Sequence, residues 1–172
     1  CSILAMDKNN NLIDFIPSKL IKTYSLQDDD VEVIPSIEKK YKLKHNKTKS
    51  RAIVIQSLYE SDVSGKNPLD ILKRNYQGKK LDKKHTDFME LLVKNFIDKK
   101  HMINDRINSK LLNKNSVLFP IDKCIIQLAI VESISTKSLN KKIIINEAVE
   151  LAKYFGEDSS SKFVNGILSS LI

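Results

Sequence analysis

In the C-terminal third of the chain, Ala148, Leu151, Ala152 and Phe155 recur at i, i+3, i+4 and i+7. That spacing sets four apolar side chains on one face of a helix, which needs another apolar surface to cover it. The helix stops at Gly156, where a left-handed C-terminal cap is wanted and glycine supplies it. Asp158 and the run Ser159 to Ser161 then offer an N-cap, and beyond it Phe163, Ile167, Leu168 and Leu171 again fall on one side. Two amphipathic helices joined by so short a link predict a helical hairpin set into a core.

The preceding segments carry the same period. A first helix runs through Arg51 to Glu60 and stops near Ser64 and Gly65, with Ala52, Ile55, Leu58 and Tyr59 inward. Asn67 and Pro68 open a second with the proline in its first turn; its stripe is Leu69, Leu72 and Tyr76, and Gly78 closes it. A third is expected over about Lys83 to Lys99, on Phe88, Leu91, Leu92 and Phe96. A fourth runs from near His101 to Leu112, on Ile103, Ile107 and Leu111. After a turn near Ser116 to Pro120, the proline opens a fifth, in which Ile121, Ile125, Leu128, Ala129 and Glu132 keep helical spacing. Only four glycines and four prolines interrupt 172 residues. The expected fold is therefore all-α, a seven-helix bundle made of two subbundles.

Residues 1–46 look different. Leu12-Ile13, Phe15-Ile16 and Val31 to Ile34 are short apolar groups separated by Pro17, Pro35 and an aspartate run. With no sustained period, they predict a largely irregular or disordered extension ahead of a helical domain at 47–172. The chain begins at Cys1 in place of the expected methionine, which is consistent with a fragment or a processed form. Two cysteines are too few for a disulfide scaffold, and Cys124 lies in an apolar helical pattern that suits a small buried thiol. No apolar run approaches the 18 or so residues of a membrane span, so a soluble protein is expected.

Charge divides the chain in the same place. Residues 1–38 hold seven carboxylates against Lys8, Lys19 and Lys22, a balance of −4 that leaves +12 for the remainder of a chain at +8. A body this basic suits a polyanion, nucleic acid before membrane. Lys39, Lys40, Lys42, Lys44, Lys47, Lys49 and Arg51, with Tyr41 and His45 among them, run without an acidic residue until Glu60. Where this strip enters a helix, the free N–H groups of the helix N-terminus also favour phosphate. Engaging five or six phosphates of single-stranded RNA would give log K a salt slope of roughly −4.

Enzyme chemistry finds little footing. The sequence has no glycine-rich phosphate loop, no Cys or His cluster at ligand spacing and no nucleophile elbow. His45, His85 and His101 stand singly in polar sequence. Glu147 and Glu150 at i, i+3 form an exposed face with Lys153 more readily than a metal site. A binding protein without catalytic residues, metal or cofactor is the expectation.

Ile145 to Gly156, read as INEAVELAKYFG, followed by Lys162 to Leu168, read as KFVNGIL, resembles the C-terminal signature of the NusB family of transcription antitermination factors. Arg51 to Tyr59, ending Gln56-Ser57-Leu58-Tyr59, and Pro120 to Ala129 resemble the family's first and central helices, in order and distance. The likeness covers about residues 47–172. It implies a non-enzymatic protein that binds boxA, a short single-stranded RNA element of ribosomal RNA transcripts. The partner is ribosomal protein NusE, and the complex acts on the RNA polymerase elongation complex with other Nus factors. It also admits a homodimer and implies a bacterial cytoplasm, with a plastid or similar organelle as the alternative. Carried over residue by residue, the phosphate contacts fall on Lys47, Lys49 and Arg51. The aromatic positions fall on Tyr59 and Phe163, flanking contacts on Gln56, Lys153 and Lys162, and a protein-partner position on Asp122. Lysine and Thr48 stand where the family's first helix commonly has arginines, and Gln127 stands where an arginine is usual, which puts that arginine's ion pair in doubt. Two alternatives stay open. The chain could be the RNA-binding domain of a ribosomal RNA cytosine methyltransferase, as a fragment, or a ribosome-assembly protein without antitermination activity.

Overall fold

The computed structural model describes residues Ile3–Met6, Leu12–Ile16, 45–111 and 118–172. Lys39, Lys40, Lys42 and Lys44 of the basic strip, and most of the 1–46 extension, lie outside the described residues. Within the extension, β1 (Ile3–Met6) pairs antiparallel with β2 (Leu12–Ile16), with Ile3 opposite Ile16 and Leu4 opposite Phe15. The remainder is helical: α1 (Asn46–Ser64), α2 (Pro68–Tyr76), α3 (Lys83–Leu111), α4 (Pro120–Ser135), α5 (Lys141–Phe155) and α6 (Ser160–Leu171).

The all-α bundle stands, with six described helices where seven were expected. The segments read as Lys83 to Lys99 and His101 to Leu112 are one helix, α3, of 29 residues. Nothing between Lys99 and His101 breaks a helix. The buried residues Met89, Phe96 and Ile103 step by seven through the supposed boundary, with Leu92, Val93 and Ile107 beside them, so one continuous stripe faces the core. The termini follow local chemistry. Gly65 caps α1 at φ 71° and Gly78 follows α2 at φ 79°, conformations that cost an L side chain. Asn67 and Asn140 cap α2 and α5, accepting from the backbone N–H of Leu69 and Lys142.

Helices α1, α2 and α3 pack on one another as one subbundle, and α4, α5 and α6 as the other. Contacts of α4 with both α1 and α3 join the two. The sequence of α4 explains this central place. Ile121, Cys124, Ile125, Ile126, Leu128, Ala129, Ile130 and Val131 are all buried, as are the polar Asp122, Gln127 and Glu132, so the helix is covered around its circumference. Each isoleucine taken fully from water contributes about 1.5–3 kcal/mol. Cys124 is buried as expected, and burial pushes its thiol far above the ordinary range.

Gly156 departs from the expected cap. Its backbone is extended, at φ −94° and ψ −176°, and the residue is glycine because the next helix comes close. A Cβ there would meet Ser160 Cβ and Oγ at 2.5 Å and the Ala152 carbonyl at 2.8 Å. Gly166, inside α6, has nothing within 4 Å of a Cβ position. Gly156→Ala should therefore lower stability by about 1–3 kcal/mol through overpacking. Gly166→Ala should raise it by about 0.5–1 kcal/mol by removing a helix-interior glycine. Urea denaturation of the two variants beside the parent checks both signs.

Candidate nucleic-acid interface

The N-terminal turns of α1 sort their side chains sharply. Lys47 and Lys49 are exposed, whereas Thr48, Ser50 and Arg51 are buried. Thr48 Oγ1 donates to Glu147 Oε2 at 2.8 Å. The Arg51 guanidinium reaches two helices at once. Its Nε donates to Glu132 Oε2 of α4 at 2.9 Å, and its Nη1 donates to Glu147 Oε2 of α5 at 3.1 Å. Burial alone would lower the Arg51 pKa, but the hydrogen bonds and charges of Glu132 and Glu147 hold it above the ordinary value. The helix end that carries the two exposed lysines is thus tied to both α4 and α5.

Arg51 was expected among the phosphate contacts. At 4 % exposure, with its donors committed to two carboxylates, it belongs to the inside of the protein, where it holds α1 against α4 and α5. Tyr59 was expected as an aromatic face for a base. It is 9 % exposed and part of the core cluster, and burial raises its phenol pKa, so its ring supports α1 from beneath. Asp122, expected to face a protein partner, is 1 % exposed. Its Oδ2 accepts from Ser160 Oγ at 3.1 Å, and the same hydroxyl accepts from the Glu157 N–H at 2.9 Å, which ties the start of α4 to the start of α6. Among the described residues, Asp122 Oδ1 has no hydrogen-bond partner, and burial pushes this carboxyl above the usual carboxylate range. For Arg51 and Asp122, sequence distance hid the partner that draws the side chain inward.

The remaining candidates are reachable from solvent. Gln56 is half-buried and lies seven residues beyond Lys49, on the same face of α1. Lys153 is exposed and bonded to Glu150 at 3.1 Å, and Lys162 is exposed at the start of α6. Phe163 is half-buried against the core. Glu147 leaves the exposed face expected for it, because Thr48 and Arg51 claim it. Gln127 Nε2 donates to Asn104 Oδ1 at 2.8 Å.

One aromatic was missed. Phe88 on α3, expected to point inward, is half-buried, with Lys47 Nζ 5.1 Å and Arg51 Cζ 5.6 Å from its ring centroid. Both lie within cation–π range. Lys84, one turn earlier on α3, is exposed. The pair Lys84 and Phe88 at i, i+4 was the available signal, but only folding sets it against α1. Among the described residues, no group of three His, Cys, Asp or Glu side chains could hold a metal, and no helix is long and apolar enough to cross a membrane.

The profile of the NusB family matches residues 48–172. The chain belongs to the NusB family. It is 38 % identical over 128 residues to the transcription antitermination protein NusB of Dehalococcoides mccartyi strain CBDB1, covering 73 % of this chain and 89 % of that relative. The corresponding protein of Bacillus velezensis is 34 % identical over 123 residues, covering 71 % and 92 %. Among solved structures, T. maritima NusB superposes with a TM-score of 0.68 at 29 % identity, covering 75 % of this chain and 92 % of that one. NusB from a complex of the antitermination factors NusB and NusE with double-stranded RNA gives 0.65 at 25 % identity, covering 72 % and 93 %. The NusB fold is thus shared over the bundle.

Two consequences of the buried polar groups can be measured. Arg51→Ala should cost about 3–5 kcal/mol in equilibrium unfolding by leaving Glu132 buried and unpaired. Arg51→Lys should recover only part of this, because an ammonium cannot reproduce the fork that spans two carboxylates. For Asp122, a folded-state pKa above the ordinary 3.8 means that stability is fully present below that value and is lost as pH rises through the folded-state pKa. Asp122→Asn should therefore gain stability relative to the parent as pH is raised from about 4 toward neutrality, a difference read from urea midpoints across that range.

Proposed function

We propose that this member of the NusB family is a transcription antitermination factor. In this reading it binds boxA-type single-stranded RNA of ribosomal RNA transcripts together with ribosomal protein NusE. The observation that carries the reading is the exposed pair Lys47 and Lys49 beside the half-exposed Phe88, on a helix end fixed from within by Arg51. Cations at the start of a helix attract phosphate, and an aromatic edge beside them suits an unstacked base. Gln56, Lys153 and Lys162 extend the track as polar contacts, and Phe163 is the second stacking position. Arg51 and Tyr59 act through the positions of their neighbours.

Relatives covered to about nine-tenths of their length are antitermination proteins, which favours this reading over a methyltransferase's RNA-binding part. A solved relative in complex with NusE and RNA supports the choice of partners. Work beside RNA polymerase fits a bacterial cytoplasm.

With NusE present, the chain should bind a boxA-containing RNA more tightly than a scrambled one in a titration at fixed salt. Equal affinity for the two would overturn the proposal. Lys47→Ala with Lys49→Ala should reduce the salt slope of log K by about 1.4, since each single-strand phosphate contact contributes about 0.7. Phe163→Ala should cost about 1–3 kcal/mol of binding.

A further inference from the structure

The connection from α2 to α3 carries a second group of cations. Lys79, Lys80, Lys83 and Lys84 are all exposed, and among the described residues none of them forms an ion pair. The carboxylate in their midst, Asp82, is engaged at the start of α3. Its Oδ1 accepts from the His85 N–H at 3.1 Å and also bonds His85 Nδ1. Its charge offsets one of the four lysines at most. Asp87, the next carboxylate along α3, lies about 100° around the helix from Phe88, so the edge that carries Phe88 stays cationic.

These cations sit on a fixed backbone. Gly78 turns the chain at φ 79°, the Lys79 N–H donates to the Tyr76 carbonyl at 3.0 Å, and the Leu81 N–H donates to the Lys79 carbonyl at 2.8 Å. Leu81 packs against the core and holds the middle of the connection. Tyr76, just before it, is tied to α3 by a hydroxyl that donates to Glu90 Oε1 at 2.6 Å. Phe88 joins the group to α1. Lys84 precedes it by one turn, about 6 Å along the helix axis, and Lys47 Nζ lies 5.1 Å from its ring centroid. A half-exposed aromatic edge therefore stands with cations on both sides. A single strand alternates phosphates with planar bases and matches that order, whereas a lipid surface offers charge without rings to stack.

Resting on the RNA reading above, we propose that Lys79, Lys80, Lys83 and Lys84 bind phosphates of nucleotides that flank the boxA element. The strand leaves Lys47 and Lys49, crosses Phe88 and continues onto the connection from α2 to α3. Lysine contacts to phosphate follow charge and not base identity, so the connection adds affinity and reach and leaves the choice of sequence to the element itself.

Fluorescence anisotropy with the full chain and NusE tests this, using a minimal boxA RNA and the same RNA extended by a short uridine tract at the 5′ or the 3′ end. In the parent, extension at one end should tighten binding by about tenfold or more at moderate salt. Combining Lys79→Ala, Lys80→Ala, Lys83→Ala and Lys84→Ala should abolish that gain and lower the salt slope of log K for the extended RNA by about 2.8, at about 0.7 per contact. Affinity for the minimal RNA and helicity by circular dichroism should be unchanged. Arginine at the same four positions should keep the gain. Absence of any gain in the parent, or a gain that survives in the alanine variant, overturns the inference. So does an equal loss for minimal and extended RNA, which would put the four lysines on the element itself. Loss of binding to phosphatidylserine vesicles in the alanine variant, with the RNA gain intact, would assign the patch to a membrane surface and overturn it as well. A parent that binds minimal boxA and scrambled RNAs equally, yet gains from extension through these lysines, supports the flanking contact while overturning the boxA reading.

Discussion

The ion pairs of Arg51 with Glu132 and Glu147 are the contact on which the arrangement of this bundle depends. Three helices, α1, α4 and α5, meet there, and the arginine supplies donors to carboxylates 81 and 96 residues away in sequence. A guanidinium is suited to such a junction because its planar fork points donors along separate directions and stays charged when buried. Burial makes the pairing compulsory, since either carboxylate left alone would pay a desolvation cost with nothing to offset it. Thr48 adds a neutral hydrogen bond to the same Glu147 oxygen, so the first turns of α1 have a defined rotation. That rotation is what turns Lys47 and Lys49 outward.

The interface proposed for RNA is therefore an outer layer on an inner frame. Lys47 and Lys49 meet solvent, Phe88 stands half-exposed beside Lys47, and beneath them Arg51 and Tyr59 fix α1 against the core. Phosphate contacts gain from preorganisation, because long side chains on a fixed helix lose less freedom on binding than those on a loose arm. The frame also contains buried polar groups that a structure built for stability alone would replace with apolar side chains. Asp122, half-satisfied at the start of α4, is one of them.

Much of the bundle was legible from periodicity. The stripe Ala148, Leu151, Ala152 and Phe155 is buried throughout, as are Ile121, Ile125, Leu128 and Ala129, because i, i+3, i+4 spacing leaves those side chains no other face. The proline and glycine boundaries at Gly65, Pro68, Gly78 and Pro120 also hold, since those residues act through their own backbone. The split of α3 and the cap at Gly156 were misplaced for related reasons. A boundary near Lys99 needed a breaker that the sequence does not contain, and Gly156 is required by Ser160 across the turn, a contact invisible to a rule about a helix and its own cap.

The candidate site divides along the same line. By itself the sequence determined the helices, the basic run into α1 and the separation of an acidic extension from a basic body, all properties of neighbours in the chain. Only the tertiary structure decided which polar residues belong to the surface. Arg51 reads as one more cation in a basic strip until Glu132 and Glu147 are brought to it, and Asp122 reads as exposed until Ser160 of α6 is bonded to it. Phe88 reads as core until Lys47 is seen above its ring. Burial and charge pairing are set by groups 38 to 99 residues apart in sequence, and close packing, which has no local signature, selects among them.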